Sequence, residues 1–231
     1  MSLLRAFRYE QPDPPRFYEA LARDSVMQLG QYVDLAGKLV LDVGGGPGYF
    51  ADAFEAAGAT YVALDSDVGE MSAAGRPPAG SVLGNGMELP FADRSVDVCY
   101  SSNVLEHVSR PWRMAEEMIR VTRPGGLVFL SYTTWFGPWG GHETSPWHFL
   151  GGRRARRRYI RKHGREPKNR FGESLFQVTV KDGIEWARGQ GAAEVLEVLP
   201  RYNPHWTYWL LAVPGIRELM TWNLVIVLRP R

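Results

Sequence analysis

The stretch Val40-Leu-Asp-Val-Gly-Gly-Gly-Pro-Gly-Tyr-Phe-Ala51 decides how the rest of this chain reads. A short apolar run enters Gly44-x-Gly46-x-Gly48, and residues of helical composition follow. Glycines belong in a tight strand-to-helix turn because the backbone there must come close to a ligand. Two common phosphate-binding turns do not fit. A dinucleotide turn wants Gly or Ala three residues after Gly46 for close helix packing, and that residue is Tyr49. The Gly-Lys-Ser/Thr ending of a P-loop is absent as well.

Working outward, a second apolar run, Thr60-Tyr-Val-Ala-Leu-Asp65, ends in a carboxylate. Asp65 reads either as a turn residue closing a strand or as an acceptor for two ribose hydroxyls. The glycine loop ahead of it favours the ribose. Further strand candidates are Val82-Leu83, residues 96–100 and residues 127–131. A helix over Pro111–Val121 is expected between the last two, with Ser109 as its cap and Pro111 in its first turn. Residues 15–33 form an amphipathic helix with Phe17, Leu21, Ser25 or Val26 and Leu29 on one side. Another helix runs over 49–57 and stops at Gly58. Strands alternating with helices predict a parallel sheet with helices on both faces.

The alternation breaks over residues 133–175, which are rich in Gly, Trp, His and Arg, with one helix near 154–163. It resumes with a helix over 180–188, a strand over 194–200, a helix over 206–220 and a strand over 224–228. The reading is therefore one α/β domain over 1–231, with an N-terminal helical segment over 1–36. Residues 133–175 are a substrate-facing insertion.

Composition is that of an ordinary globular chain, with 231 residues of which 45% are hydrophobic. The single cysteine, Cys99, excludes an intramolecular disulfide and any multi-cysteine zinc site, which fits a reducing cytoplasm. The start of the chain shows no leader pattern, since Arg5, Arg8, Glu10 and Asp13 follow Leu3-Leu4 closely. Residues 206–228 are the most lipid-like, but Pro214-Gly215, Arg217 and Glu218 interrupt them, so no bilayer-spanning run is expected. Net charge is +2, yet residues 153–170 hold ten Lys or Arg against one Glu, leaving the remainder at −7. Such a one-signed segment reads either as a solvated charged face or as a surface for an anionic acceptor, an anionic membrane or nucleic acid.

Six motifs in order carry a resemblance: Leu41-Asp-Val-Gly-Gly-Gly-Pro-Gly48, Ala63-Leu-Asp65, Met87-Glu-Leu-Pro-Phe91, Ser95-Val-Asp97, Asn103-Val-Leu-Glu-His107 and Arg123-Pro-Gly-Gly126. Together they resemble the class I S-adenosylmethionine-dependent methyltransferases, in the small-molecule branch often called type 11. The resemblance implies a Rossmann-like, seven-stranded, mostly parallel sheet whose last strand runs antiparallel, with the insertion forming a cap after the fifth strand. It implies that Asp42 and the backbone of Gly44, Gly45, Gly46 and Gly48 hold the methionine part of S-adenosylmethionine, and that Asp65 takes the ribose. Ser66 and Asp67 would start the next helix, with Asp67 a weaker contact. Where relatives place an acid against adenine, this chain has Asn85, which loses charge assistance. Gly86 or Met87 would offer a backbone N–H to the ring. Ser102 and Asn103 would stand at the substrate mouth, and Glu106-His107 follow, with His107 read as structural.

The insertion is expected to read the acceptor. His142, behind two glycines, is the favoured general base for a hydroxyl acceptor, with His148 second. His142, Glu143 and His148 could also be drawn as a two-His, one-carboxylate site, but nothing else in the sequence supports it, and no metal is assigned. Trp135, Trp139 and Trp147 either line a pocket or close the core. The function expected is O-methylation of a small, glycan or lipid-linked acceptor, with the basic helix over 153–163 suited to an anionic one, by a cytoplasmic protein for which that helix also offers a peripheral membrane contact. Two alternatives stand beside it: an RNA methyltransferase using that helix, for which no added RNA-binding module appears, and a non-catalytic cofactor-binding scaffold. The sequence assigns no oligomeric state.

Overall fold

The computed structural model describes residues 14–73 and 80–231. The opening residues on which the leader argument rests, and the first part of the 1–36 segment, lie outside the described residues. Seven strands form one sheet: β1 (Leu39–Val43), β2 (Thr60–Asp65), β3 (Val82–Leu83), β4 (Val96–Ser102), β5 (Thr122–Thr133), β6 (Ala193–Pro200) and β7 (Asn223–Pro230). Their order is β3-β2-β1-β4-β5-β7-β6, with β7 antiparallel to both neighbours and the other pairs parallel.

Both faces of this sheet are buried, which is why its central strands read as continuous apolar runs. Alternate residues feed two cores. Leu41, Val43, Val128, Leu130, Tyr132, Leu224, Ile226 and Leu228 pack on one face with the helices α4 (Pro111–Val121) and α6 (Val180–Gly189). Val40, Leu127, Phe129, Val225 and Val227 pack on the other with α1 (Pro14–Leu29) and α2 (Ala51–Ala56). Three further helices complete the set among the described residues: α3 (Val68–Met71) after β2, α5 (Gly152–His163) inside the insertion and α7 (Ile216–Met220) before β7.

Three local expectations change. Residues 206–220 do not form one helix: a 3-10 segment, His205–Ala212, is followed by α7. Pro214 and Gly215 separate them, and Gly215 has φ +82°. Ser109 does not cap α4; the cap position is Arg110, without a side-chain bond, and Ser109 Oγ instead faces Met87 Sδ at 3.8 Å. The fifth strand begins earlier than expected, at Thr122.

Registers place the site. Ser102 pairs with Ser131, Thr133 with Asn223, and Leu224 with Pro200. The loops after β1, β2, β4, β5 and β6 therefore emerge at one edge of the sheet, where open α/β folds bind ligands. Among the described residues, no helix is long and apolar enough to cross a membrane.

Candidate active site

The glycine loop turns back on β2: Gly44 and Gly45 N–H donate to Leu64 O at 2.7 and 3.1 Å. Gly44 has φ +83°, and a Cβ on it would run into both methyls of Val104. Only glycine lets the first motif seat against the segment that follows β4. Gly46 N–H donates to Asp65 Oδ2 at 3.1 Å, and Asp67 N–H to Asp65 Oδ1 at 3.0 Å. A Cβ built on Gly46 would meet nothing closer than that Asp65 Oδ2, at 4.0 Å, so its side-chain position is uncrowded. Asp67 caps α3 by accepting from Gly69 and Glu70 N–H, as expected. Tyr18 of α1 stacks on Tyr49 beside the loop, with ring centroids 4.9 Å apart.

Asp42 lies beneath this loop. It is 2% exposed and accepts a 2.6 Å hydrogen bond from Tyr61 Oη. Burial raises its carboxyl from the ordinary 3.8 to about 7; the Tyr61 bond opposes this and Asp65 adds to it. The folded chain then holds this proton more tightly than the unfolded chain. The resulting stabilisation is full below pH 3.8 and is lost as pH rises to about 7. In Asp42→Asn, which still accepts from Tyr61, urea unfolding between pH 4 and 8 should lose this dependence. The difference from the parent should grow in the variant's favour with pH, by up to about 4 kcal/mol.

On the adenine side expected from the resemblance, Asn85 Oδ1 accepts from Met87 N–H at 2.9 Å. The Met87 N–H is thus committed within the turn, and Gly86 sits against Val43 and Met114. Ser102 Oγ receives Ser131 Oγ at 3.2 Å and Arg201 Nη1 at 3.1 Å. Arg201, whose side chain is 1% exposed, also donates to Ser25 Oγ at 2.7 Å and pairs with Asp24 at 3.2 Å. Nothing in the sequence around Arg201 marked it, because its partners come from α1 and β4.

Asn103 takes φ +58° and its Oδ1 accepts from Asn223 Nδ2 at 2.7 Å. The next turn, Leu105–His107, brings a second group together. Glu106 is buried; its Oε1 accepts from Thr133 N–H at 2.9 Å, while Oε2 has no hydrogen-bond partner. His107 Nδ1 meets Ser174 O at 2.7 Å. The His142 ring packs edge-on against His107, with centroids 5.0 Å apart, and its Nδ1 is buried without a hydrogen-bond partner. Burial, with His107 adding, lowers the His142 imidazole to about 4, so it is neutral at pH 7.

The trio His142, Glu143 and His148 is not assembled. Glu143 is exposed and accepts from Asn169 Nδ2, whereas His148 is fully buried under Trp135, with Nε2 facing Gly137 O at 3.2 Å. The two glycines before His142 have a packing reason: a Cβ on Gly141 would clash with the His148 ring, and one on Gly140 with Trp135 O. Of the three tryptophans, Trp135 is in the core while Trp139 and Trp147 are partly exposed.

The basic helix α5 buries Gly152 and Ala155. Arg156 bonds Glu166 and Glu173, while Arg153, Arg154, Arg157, Arg158, Arg161 and Lys162 are exposed. Arg158 lies 3.8 Å over Trp147. Lys168 reaches Glu70 of α3 at 3.1 Å, tying the insertion to the edge near β2.

Comparison with known proteins agrees with this geometry. Residues 41–130 match the family described as "Methyltransferase domain". An "Uncharacterized methyltransferase" of Mycobacterium marinum is 53% identical over 100% of this chain and 94% of its own length. A protein of the same description from Mycolicibacterium vanbaalenii is 55% identical, covering 99% and 92%. Among solved structures, an S-adenosylmethionine-dependent methyltransferase from Mesorhizobium loti superposes with a TM-score of 0.61 at 18% identity, covering 90% of this chain and 97% of that one. One from Aquifex aeolicus gives a TM-score of 0.56 at 13% identity over all of both chains. With relatives at 53% and 55% identity that match it along its length, the chain belongs to the methyltransferase family, and its sheet has the fold of the class I S-adenosylmethionine-dependent methyltransferases.

Proposed function

We propose that this chain moves a methyl group from S-adenosylmethionine to a hydroxyl on an anionic, lipid-linked acceptor at a membrane surface. The donor side is supported by the carboxylate of Asp65 at the end of β2, held against the glycine loop by Gly46 N–H. A carboxylate has about four acceptor positions. Gly46 and Asp67 N–H use one on each oxygen, so Asp65 keeps capacity for two ribose hydroxyls. Gly44, Gly45, Gly46 and Gly48 would bring backbone against the methionine part, with Asp42 holding the loop from beneath through Tyr61. Asn85 would meet adenine with its amide N–H groups and its remaining lone pair, beside Gly86 and Met87. Ser102 would stand at the rim, held by Arg201.

When bound, S-adenosylmethionine supplies a methyl group on a positively charged sulfur, open to an in-line nucleophile. The chain's part is to hold the acceptor oxygen on that line and keep water out. His142, neutral at pH 7 and beside the outlets of β4 and β5, would take the acceptor's proton.

One observation carries the acceptor reading: the exposed arginines of α5 adjoin the exposed Trp147, Phe149 and Leu150, on the insertion that leaves the sheet after β5, at the same edge as the glycine loop. The exposed Trp206 and Trp209 leave the same edge after β6. Basic residues beside aromatic and aliphatic ones suit an anionic bilayer, at roughly 1 kcal/mol per cation. Replacing Arg153, Arg157 and Arg161 by Ala should weaken sedimentation with anionic vesicles about a hundredfold and leave binding to neutral vesicles unchanged. Incubated with methyl-labelled donor and cell extract, the parent should label the solvent-extractable lipids. Label in RNA would move the reading to the nucleic-acid alternative. Donor binding with no label in any fraction would make the chain a scaffold.

A further inference from the structure

We infer that Glu106, His107 and His142 form a binding site for a first-row divalent cation of the zinc type, at the edge where β4 and β5 open under the insertion. One ligand atom from each of the three lies within 4.8 Å of the other two. Ligands on a tetrahedral zinc with bonds near 2.0–2.1 Å stand about 3.4 Å apart, so these atoms need to draw in by no more than about 1.4 Å.

The arrangement around them is that of a prepared site rather than a chance cluster. A metal-binding imidazole usually donates its other N–H to a carbonyl or carboxylate, and ligating carboxylates are themselves hydrogen-bonded. His107 Nδ1 meets the Ser174 carbonyl at 2.7 Å, which makes Nδ1 the donor and leaves the Nε2 lone pair free to bind an ion. Glu106 is 1% exposed; Thr133 N–H fixes Oε1, and Oε2 remains buried without a partner. His142 adds a second buried atom without a partner, Nδ1. A buried polar atom left unpaired is costly, and two facing one small group call for a shared ligand. A cation would satisfy them together; a water would satisfy two lone pairs but would leave the buried carboxylate charge uncompensated. Two imidazoles and one carboxylate are the donor set of zinc-type sites that keep a fourth position open for an oxygen ligand.

The three residues come from two places in the chain. Glu106 and His107 follow β4 on the Leu105–His107 turn, and His142 opens the His142–Thr144 turn of the insertion. The segment that closes the insertion is pinned to the same turn, by Phe176 N–H on Glu106 O at 2.8 Å as well as by Ser174 on His107. A cation here would thus join the sheet edge to the insertion. The inference goes beyond the methyl-transfer reading and requires neither donor nor acceptor. Proton and cation compete for the same imidazole, so the proton-accepting role of His142 belongs to the metal-free chain.

Cobalt(II) titrated into chelator-treated, untagged protein should give a visible absorption band that saturates at one ion per chain and is displaced by zinc. His142→Ala and Glu106→Gln should each weaken cobalt binding at least a hundredfold, with circular dichroism used to check that the fold is kept. His163→Ala, on the exposed end of α5, should bind as the parent does. Absence of a saturable band in the parent overturns the inference. So does unchanged binding in the folded His142→Ala protein, which would place the ion elsewhere. If Glu106→Gln does not fold, Glu106→Asp serves in its place, and binding equal to the parent's would remove Glu106 from the site. Binding of the methyl donor, measured separately, stands or falls independently of each of these results.

Discussion

Asp65→Ala should lose at least a hundredfold in affinity for S-adenosylmethionine in equilibrium dialysis against labelled donor. In the proposed reading the carboxylate accepts two ribose hydroxyls, and a hydrogen bond to a charged group contributes about 1.5–3 kcal/mol. Two of them come to roughly 3 kcal/mol or more, over a hundredfold. The substitution also frees Gly46 and Asp67 N–H, whose bonds to Asp65 tie the glycine loop to the start of α3. Asp65→Asn separates the two contributions. It keeps one oxygen acceptor and the shape of the side chain but loses the charge, so its deficit should lie between parent and Ala. Equal binding by parent and Asp65→Ala would remove Asp65 from the donor site.

Arg201→Met should destabilise the chain by about 3 kcal/mol in urea unfolding. Breaking a buried, hydrogen-bonded charge pair from one side is expensive because its partners are left behind. Arg201 serves Ser25, Ser102 and Asp24 at once and lies over the Phe129 ring at 5.5 Å. Asp24 retains some contact with water, with a side chain 32% exposed, which keeps the cost from rising further. Arg201→Lys keeps the charge but has a point-like ammonium in place of the planar fork, so it should recover only part of the loss. A loss below 1 kcal/mol in Arg201→Met would show that the network is decorative.

These two residues also mark the limit of what the sequence tells. The place of Asp65 against the glycine loop was legible because its setting is local: a strand, a glycine turn and a second strand follow one another within 30 residues, and each step has its own steric demand. Gly44 illustrates this, since the contact with Val104 links two motifs that the sequence already places in order. The apolar runs of β1, β5 and β7 were equally readable, because burial on both faces leaves no room for polar residues. Arg201 was not legible. Its partner Asp24 is 177 residues away, and no local pattern distinguishes a buried arginine after a strand from an exposed one.

The histidines show the same division. Glycines before His142 suggested a functional loop, and the structure gives them a steric reason against His148 and Trp135. The residues His142 joins, however, are Glu106 and His107 across the chain, while its sequence neighbours Glu143 and His148 turn elsewhere. Spacing alone could not decide which loop folds onto which turn. Residues 206–220 failed as one helix for a plainer reason, since their apolar content outweighed Pro214-Gly215 in the reading but not in the fold.

The most direct test of the donor site is calorimetric titration of the native chain with S-adenosylhomocysteine. Saturable heat at one ligand per chain is the predicted result. A folded chain that gives no binding heat at any accessible concentration, and no rise in unfolding temperature with the ligand, would contradict the assignment of the glycine loop and Asp65 to the methyl donor.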